Sequence, residues 1–488
     1  MRIAEWATYT GQDASLSYSA FPDLHSAIGS TAEKLLKNMK MKSLLSAALI
    51  LSAVVPAWSQ TRQTPVESLI YDLKNPDPVR RREAARSLGN NKIESGVPAL
   101  IEASKDQDDG VRLEVYRALV ALNDPRAVNT YIEGSRDSKV EVREKSISGM
   151  VNLYVVEEGG FITHTRKIID ALNPFDVDYD TLVVEPYVAV SPDVVKALGQ
   201  LLADPSPRIR KESAQALGVL RGREAAPALV ESLKRESDSS GRRQMIRALY
   251  KIGDRQYGAA LVPFIKDEHK TVHDEAIRTV GFLKVKEALE PLTKLYESEP
   301  EERRKVLKVI PASGKDDLQF KLLDAIAYIG APESNPIFLK NLQNRDSAFR
   351  RAGAEGLARS GAKDAVSVLQ QQKKEEKTAE AMLAINFALY RLGDDLLLAE
   401  LINGLDSARY DQALGYLLEF SPEETRKLYP FLRLDRKRVQ TGLLEVLGRS
   451  GGQDALPHLQ ELSQAKDATI ASAANQAIRR LQARLKSS

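Results

Sequence analysis

A stretch of about 30 residues, 204–233, recurs in register from about residue 66 almost to the C-terminus, and this repetition limits the possible folds more than any other feature. Asp204-Pro205-Ser206-Pro207 opens it, and neither proline can sit inside a helix, so the chain breaks there and a new helix starts. After Arg208, Ile209 and Arg210, the residues Ala214, Ala216, Leu217 and Leu220 form one apolar stripe at helical spacing. Gly218 marks either a close-packing position or the beginning of the helix end, and Arg221-Gly222 is a turn. Pro227, Ala228, Leu229, Val230 and Leu233 supply a second short stripe. Neither helix could bury its stripe alone, so the unit makes sense only when stacked on copies of itself.

The copies are counted on the Leu217 column: Leu88, Leu119, Met150, Leu217, Leu249, Val280, Ile326, Leu357, Leu389, Leu418, Leu447 and Ile478. Most neighbouring steps are about 31 residues, with longer gaps from Met150 to Leu217 and from Val280 to Ile326. Seven residues before the anchor a cation recurs, at Arg81, Arg112, Arg143, Arg210, Arg242, His273 and Arg350.

This pattern, strongest in Asn75-Pro76-Asp77-Pro78 with 81–89 and in 204–233, resembles the short HEAT-like repeat named after the phycobilisome lyases, of the armadillo-type superhelices. The resemblance implies an all-α fold, a right-handed α-solenoid of about twelve helix pairs with one irregular insertion, whose second helices line the concave side. It also implies that the recurrent Arg bonds to an acidic group of a turn, in its own or a neighbouring unit.

Composition fits. A charged fraction of 28% with 6% aromatics suits short helices packed through Ala, Leu and Val. The net charge of +3 gives no basic excess, so nucleic acid is not expected as a partner. The chain has no Cys, which excludes disulfides, thiolate metal sites and thiol nucleophiles. No apolar run is long enough to keep the mature chain in a membrane.

Met39-Lys40-Met41-Lys42, the apolar run 44–55 and Ala57-Trp58-Ser59 have the order of a secretory signal peptide over 39–59, with cleavage between Ser59 and Gln60. The mature protein is then expected to be periplasmic or secreted. Residues 1–38 are read as an unordered upstream extension, the true start being Met39 or Met41; the competing reading is a cytoplasmic protein with an ordinary apolar helix at 44–55.

The mature chain divides into repeats 1–3 (60–153), an irregular insertion (154–191), repeats 4–6 (192–296), a charged connection (297–317) and degenerate repeats with a C-terminal cap (318–488). Thr64-Pro65-Val66-Glu67 and Ser421-Pro422-Glu423-Glu424 read as capping boxes. The insertion ends in a Val- and Tyr-rich piece, 181–190, able to run extended. Such an insertion either forms part of a binding face or serves as a spacer.

Chemistry is sparse. His269 and His273 are one helical turn apart beside acidic residues and form the one weak candidate for a metal pair, although His273 also occupies the Arg column. The related deoxyhypusine hydroxylases hold iron through His-Glu pairs, and this sequence has no His-Glu dipeptide; no nucleophile elbow or phosphate loop is present either. Five residues after the recurrent cation stand Arg86, Arg117, Ser148, Gln215, Arg247, Arg278 and Glu355. The four arginines form an interrupted ladder that either recognises carboxylates in the groove or lays its stems over apolar surface. The expectation is a non-enzymatic, cofactor-free scaffold whose protein or peptide partner meets Arg86, Arg117, Arg247 and Arg278 together with Phe161, Phe175, Tyr179 and Tyr187 of the insertion. A HEAT-like lyase or metal-dependent oxidoreductase is the alternative.

Overall fold

A computed structural model of the chain describes residues 65–155, 182–298 and 318–487. The expected signal peptide, the Ser59–Gln60 junction, Thr64, Phe161, Phe175 and Tyr179 lie outside the described residues. The chain divides into Met1–Ser68 and Leu69–Ser488, and the architecture below is that of the second part.

Twelve helix pairs follow one another among the described residues. The second helices are α2 (Pro78–Asn90), α4 (Asp109–Leu122), α6 (Val140–Asn152), α8 (Pro207–Val219), α10 (Ser239–Ile252), α11 (Lys270–Phe282), α13 (Leu318–Ile329), α15 (Ser347–Ser360), α17 (Ala379–Arg391), α19 (Tyr410–Leu418), α20 (Lys437–Ser450) and α22 (Ala468–Ser487). The first helices are α1 (Pro65–Asp72), α3 (Val97–Ala103), α5 (Val128–Gly134), α7 (Pro192–Leu201), α9 (Ala226–Arg235), α12 (Leu289–Ser298), α14 (Asn335–Leu342), α16 (Val366–Glu375), α18 (Leu398–Gly404) and α21 (Leu456–Ser463). In the sixth and eleventh units the first helix is instead a 3-10 helix, Arg255–Lys266 and Glu424–Arg433, with Pro263 and Pro430 inside. A proline there removes a donor from the α ladder, and the tighter winding tolerates it in a short piece.

Each second helix packs on the next, including α6 on α8 and α11 on α13, so the stack runs unbroken past the insertion and past the charged connection. The fold is therefore an all-helical solenoid of HEAT type. Ten of the twelve anchors are buried; Leu418 and Ile478 are half-buried, and their neighbours Leu417 and Ala477 take the interior. Gly218 is a close-packing position: a Cβ there would stand 3.0 Å from the Ala248 backbone on the next second helix, and Gly281 repeats this against Ala325 at 2.7 Å. A helix without a side chain at this place lets its neighbour approach at backbone distance.

The recurrent arginine settles the register between units. Arg81 donates Nη1 to the carbonyls of Asn75 and Pro76 in its own turn, at 2.8 and 3.0 Å, and grips Asp106 in the next turn at 2.7 and 2.9 Å. Arg112 to Asp137, Arg210 to Glu236 and Arg350 to Glu376 repeat this at 2.6–2.7 Å. Arg143 reaches Asp204 at 2.8 Å, 61 residues on, because residues 154–191 come between these two adjacent units in the sequence. The carboxylate also accepts a backbone N–H two residues later, as Glu376 does from Thr378 at 2.9 Å. Ser421 and Glu424 do form a reciprocal capping box, Ser421 N donating to Glu424 Oε2 at 2.8 Å and Glu424 N to Ser421 Oγ at 3.3 Å.

The Arg350 hydrogen bonds, with help from Thr378, hold the Glu376 carboxyl down at about 2, against an ordinary value of 4.5. A depressed carboxyl stabilises the fold above its unfolded pKa, and that contribution is lost as pH falls from about 4.5 towards 2. Glu376→Gln should cost roughly 1.5–3 kcal/mol at neutral pH. Its melting temperature should also fall less steeply than the wild type's below pH 4.5; parallel pH profiles from thermal unfolding would contradict the assignment.

Candidate binding groove

Which helices face inward follows from contacts that skip a unit. Tyr416 on α19 donates to Glu355 on α15 at 2.5 Å, and Arg359 on α15 grips Glu419, just beyond α19, at 2.8 Å. α17 lies between these helices in the stack. Units two apart meet only on the inside of a curve, so the second helices form the inner wall. Glu355 occupies the same column as the arginine ladder, which places that column on this wall.

The ladder is anchored by two buried glutamates. Arg86 on α2 and Arg117 on α4 share Glu114, at 3.2 and 2.6 Å. Arg247 on α10 and Arg278 on α11 share Glu275, at 2.8 and 2.7 Å, with Arg243 at 3.9 Å. Burial would lift the Glu114 carboxyl, but Arg86 and Arg117 keep it below its ordinary value. Each carboxylate thus serves at least two guanidinium groups, and each cluster keeps a positive excess. The side chains of Arg86, Arg117 and Arg278 are 56%, 50% and 53% exposed, whereas Arg247 is 10% exposed. Arg278 also covers the Tyr250 ring, 4.5 Å from its centroid, and Tyr250 meets the exposed ring of Phe282 at 4.5 Å. Tyr250 and Phe282 escape a reading by columns, because they stand one and two residues past the anchors Leu249 and Val280.

Inner-wall charge changes character in the C-terminal half. Arg351 lies 3.3 Å from Asp324, 3.4 Å from Glu355 and 3.2 Å from Glu380, and Arg359 spans Glu355 and Glu419 at 3.4 and 2.8 Å. Burial pushes the Asp324 carboxyl up to about 6, against the pull of Arg351. Here acids and arginines balance one another in a closed network, and the wall presents no cationic excess like that of the ladder.

The end of the insertion crosses to the far end of the solenoid. Residues 182–190 form no strand and do not run extended throughout as the Val- and Tyr-rich sequence suggests: Pro186 and Tyr187 make a turn closed by Val188 N donating to Glu185 O at 3.0 Å. Val184 N donates to Val219 O at 2.8 Å, and Lys251 Nζ donates to Leu182 O at 3.1 Å. Glu185 then binds Arg480 on α22 at 2.7 and 2.5 Å, across 295 residues of sequence. Arg479 stands over the Tyr187 ring at 4.8 Å. The structure therefore brings Arg86 to Arg117 and Arg247 to Arg278, and sets Tyr187 against the last helix.

His269, the first member of the histidine pair, is engaged in a turn. His269 Nδ1 lies 3.1 Å from Arg242 Nη2 and 3.4 Å from Asp267, in the turn that Arg242 clasps. Among the described residues no group of three or more His, Asp or Glu side chains is placed to hold a metal ion. Among them, too, no helix is long and apolar enough to cross a membrane.

Two substitutions separate exposed from buried rungs. Arg117→Glu should shift the melting temperature little, since Glu114 keeps Arg86. Arg247→Glu sets a carboxylate against buried Glu275 and should cost roughly 3–5 kcal/mol, as uncompensated buried charges do. Equal melting temperatures for the two variants would contradict this division.

A family model described as HEAT repeats matches residues 66–150, 188–249 and 227–310. The bilin biosynthesis protein PecE of Mastigocladus laminosus is 34% identical over 77 residues, 16% of this chain and 29% of PecE, so the chain spans under a third of that relative. Among solved structures, importin beta aligns with 86% of this chain and 63% of its own at 14% identity, with a TM-score of 0.39. The CpcE–CpcF complex of phycocyanin lyase from Nostoc sp. PCC7120 aligns with 69% of this chain and 97% of its own at 17% identity, with a TM-score of 0.22.

Proposed function

Starting from a chain that is a HEAT-like repeat protein, we propose that it is an exported scaffold without a catalytic step of its own, and that it holds a protein or peptide segment along the inner wall of its N-terminal half. The observation that carries this reading is the pair of clusters in which guanidinium groups outnumber the carboxylate they share, with Arg86, Arg117 and Arg278 half exposed. Their buried glutamates fix the arginine heads before a partner arrives, which lowers the ordering cost of binding. Beside Arg278 the Tyr250–Phe282 pair offers an aromatic anchor, and arginine and aromatic side chains dominate interface hot spots. The partner segment that fits is acidic and carries at least one apolar side chain. Support for protein binding as a class comes from the inner-wall surface itself.

Arg117→Ala with Arg278→Ala, which leaves Arg86 on Glu114 and Arg247 on Glu275, should weaken capture of such a partner from periplasmic extract by roughly ten-fold or more, the loss expected for charge-assisted contacts, at a nearly unchanged melting temperature. Phe282→Ala should act in the same direction. Undiminished capture by both variants would put the partner elsewhere, and purified protein carrying a bilin or stoichiometric iron would overturn the scaffold reading in favour of a lyase or oxidoreductase.

Export rests on the order of the basic start, the apolar run 44–55 and Ala57-Trp58-Ser59. N-terminal sequencing of protein from its native host should read Gln60 first, and a mature chain that begins at Met1 would sink the idea.

A further inference from the structure

Where residues 182–190 meet the last helix they enclose a cavity of about 520 Å³, inside the size range of small-molecule sites. Five arginines line it, Arg221, Arg223, Arg449, Arg480 and Arg484, against one acidic residue, Glu185. Glu185 is already taken by Arg480, and Arg449 pairs with Glu445 of its own helix at 3.0 Å. Arg484 donates to the Gly451 carbonyl. Among the described residues neither Arg221 nor Arg223 has a carboxylate within ion-pair distance. Like charges crowded in this way repel one another.

Arg221 sits at a turn that recurs from unit to unit. Its φ is +52°, in the left-handed region, at the turn that ends the second helix of the fourth unit. At the corresponding turns of other units the chain uses Gly253, Gly330, Gly361 and Gly393, or, as with Arg221, a residue with a side chain, Lys92, Asn123 and Lys284, all with positive φ. A side chain there costs conformational energy that glycine does not. The Arg221 head touches solvent but lies deep in a concavity crowded by protein, and that burial, with the Arg449 charge, pulls its pKa below the usual arginine range. Burial likewise pulls Arg484 down. Electrostatic repulsion is thus concentrated at one point, and an anion in the cavity would relieve it.

We propose that this cavity binds a compact multivalent oxyanion, a small molecule bearing two or more phosphate or carboxylate groups, held by the forked guanidinium groups of Arg221, Arg223, Arg449 and Arg484. Guanidinium forks match both oxyanions bidentately. Val183, Val184, Pro186 and Ala483 leave room for a short apolar body beside the charged groups. Because the site joins the fourth unit to the last, an occupant would strengthen the contact that Glu185 and Arg480 make. The site stands apart from the ladder on the inner wall and does not depend on a protein partner there.

The test is thermal unfolding and calorimetry of the full chain with inorganic pyrophosphate and with citrate, each against sodium chloride of equal ionic strength. Either anion should raise the melting temperature beyond the chloride control, since a ligand that binds only the folded state stabilises it. The tighter of the two identifies phosphate or carboxylate as the natural group. Arg221→Gly should melt at the same or a higher temperature without anion, because it relieves the strained turn, while its affinity for the anion falls by roughly ten-fold or more. Arg223→Ala, an exposed side chain outside the core, should weaken binding in the same way. No shift beyond chloride in the wild type, or wild-type affinity in both variants, would overturn the proposal.

Discussion

One guanidinium group, reaching from the second helix of a unit to the turn of the next, does what neither helix stripe can do: it fixes the angle and the register at which units stack. Arg81 satisfies two carbonyls of its own turn and the carboxylate of Asp106, and Asp106 in turn accepts a backbone N–H from Asp108 at 2.9 Å. Polar groups that a tight turn would leave without partners are thus paid for by one side chain. Ion pairs this enclosed add little net stability, because both charges leave water, but their geometry admits one arrangement. Where the arginine is missing, aromatic rings take its place between successive units. Phe387 stacks on Tyr416 at 4.2 Å and Tyr390 on Phe420 at 5.3 Å, in the half of the chain where the Asp-Pro turns fade.

Most of this was legible in the sequence because a solenoid is nearly one-dimensional: contacts join residues about 31 apart, and a column of like residues exposes them. The twelve anchors and the helix bounds near 207–220 and 272–283 follow from local spacing, whereas the turn at Pro186–Tyr187 interrupts the piece that the Val- and Tyr-rich sequence suggests is extended. Leu418 and Ile478 drift from the buried column, the first on a helix, α19, of only nine residues, and the second on α22, beyond which no further unit is found among the described residues. The choice at Gly218 between close packing and helix end depended on Ala248, a residue of the next unit, and so could not be made from its own unit.

The ladder shows the opposite failure, a signal that was present locally but not weighed. Glu114 and Glu275 each stand three residues before the arginines Arg117 and Arg278, the spacing at which helix neighbours pair, so partial neutralisation was written into the same helices. The additional partners, Arg86 and Arg247, come from the preceding unit and needed the stack. The difference between exposed Arg117 and buried Arg247 has no counterpart in sequence at all, since both hold the same position relative to their anchors.

The contact between Glu185 and Arg480 lies beyond any periodic reading, because 295 residues separate the partners and neither belongs to a column. Its physical consequence reaches further than one ion pair. In an open solenoid, stability is a sum over neighbours, and small rotations at each junction add up into bending along the whole length. Here residues 182–190 are bonded to Val219 and Lys251 on one side and to α22 on the other, so the fourth, fifth and twelfth units are tied by a link that passes over those between. Bending that would part these units must first break Glu185 from Arg480, and rotations at the intervening junctions can no longer add freely. The N-terminal three units lie outside that tie. A groove built this way is adjustable where the arginine ladder begins and held in shape where the acidic and basic side chains of the C-terminal network close on one another.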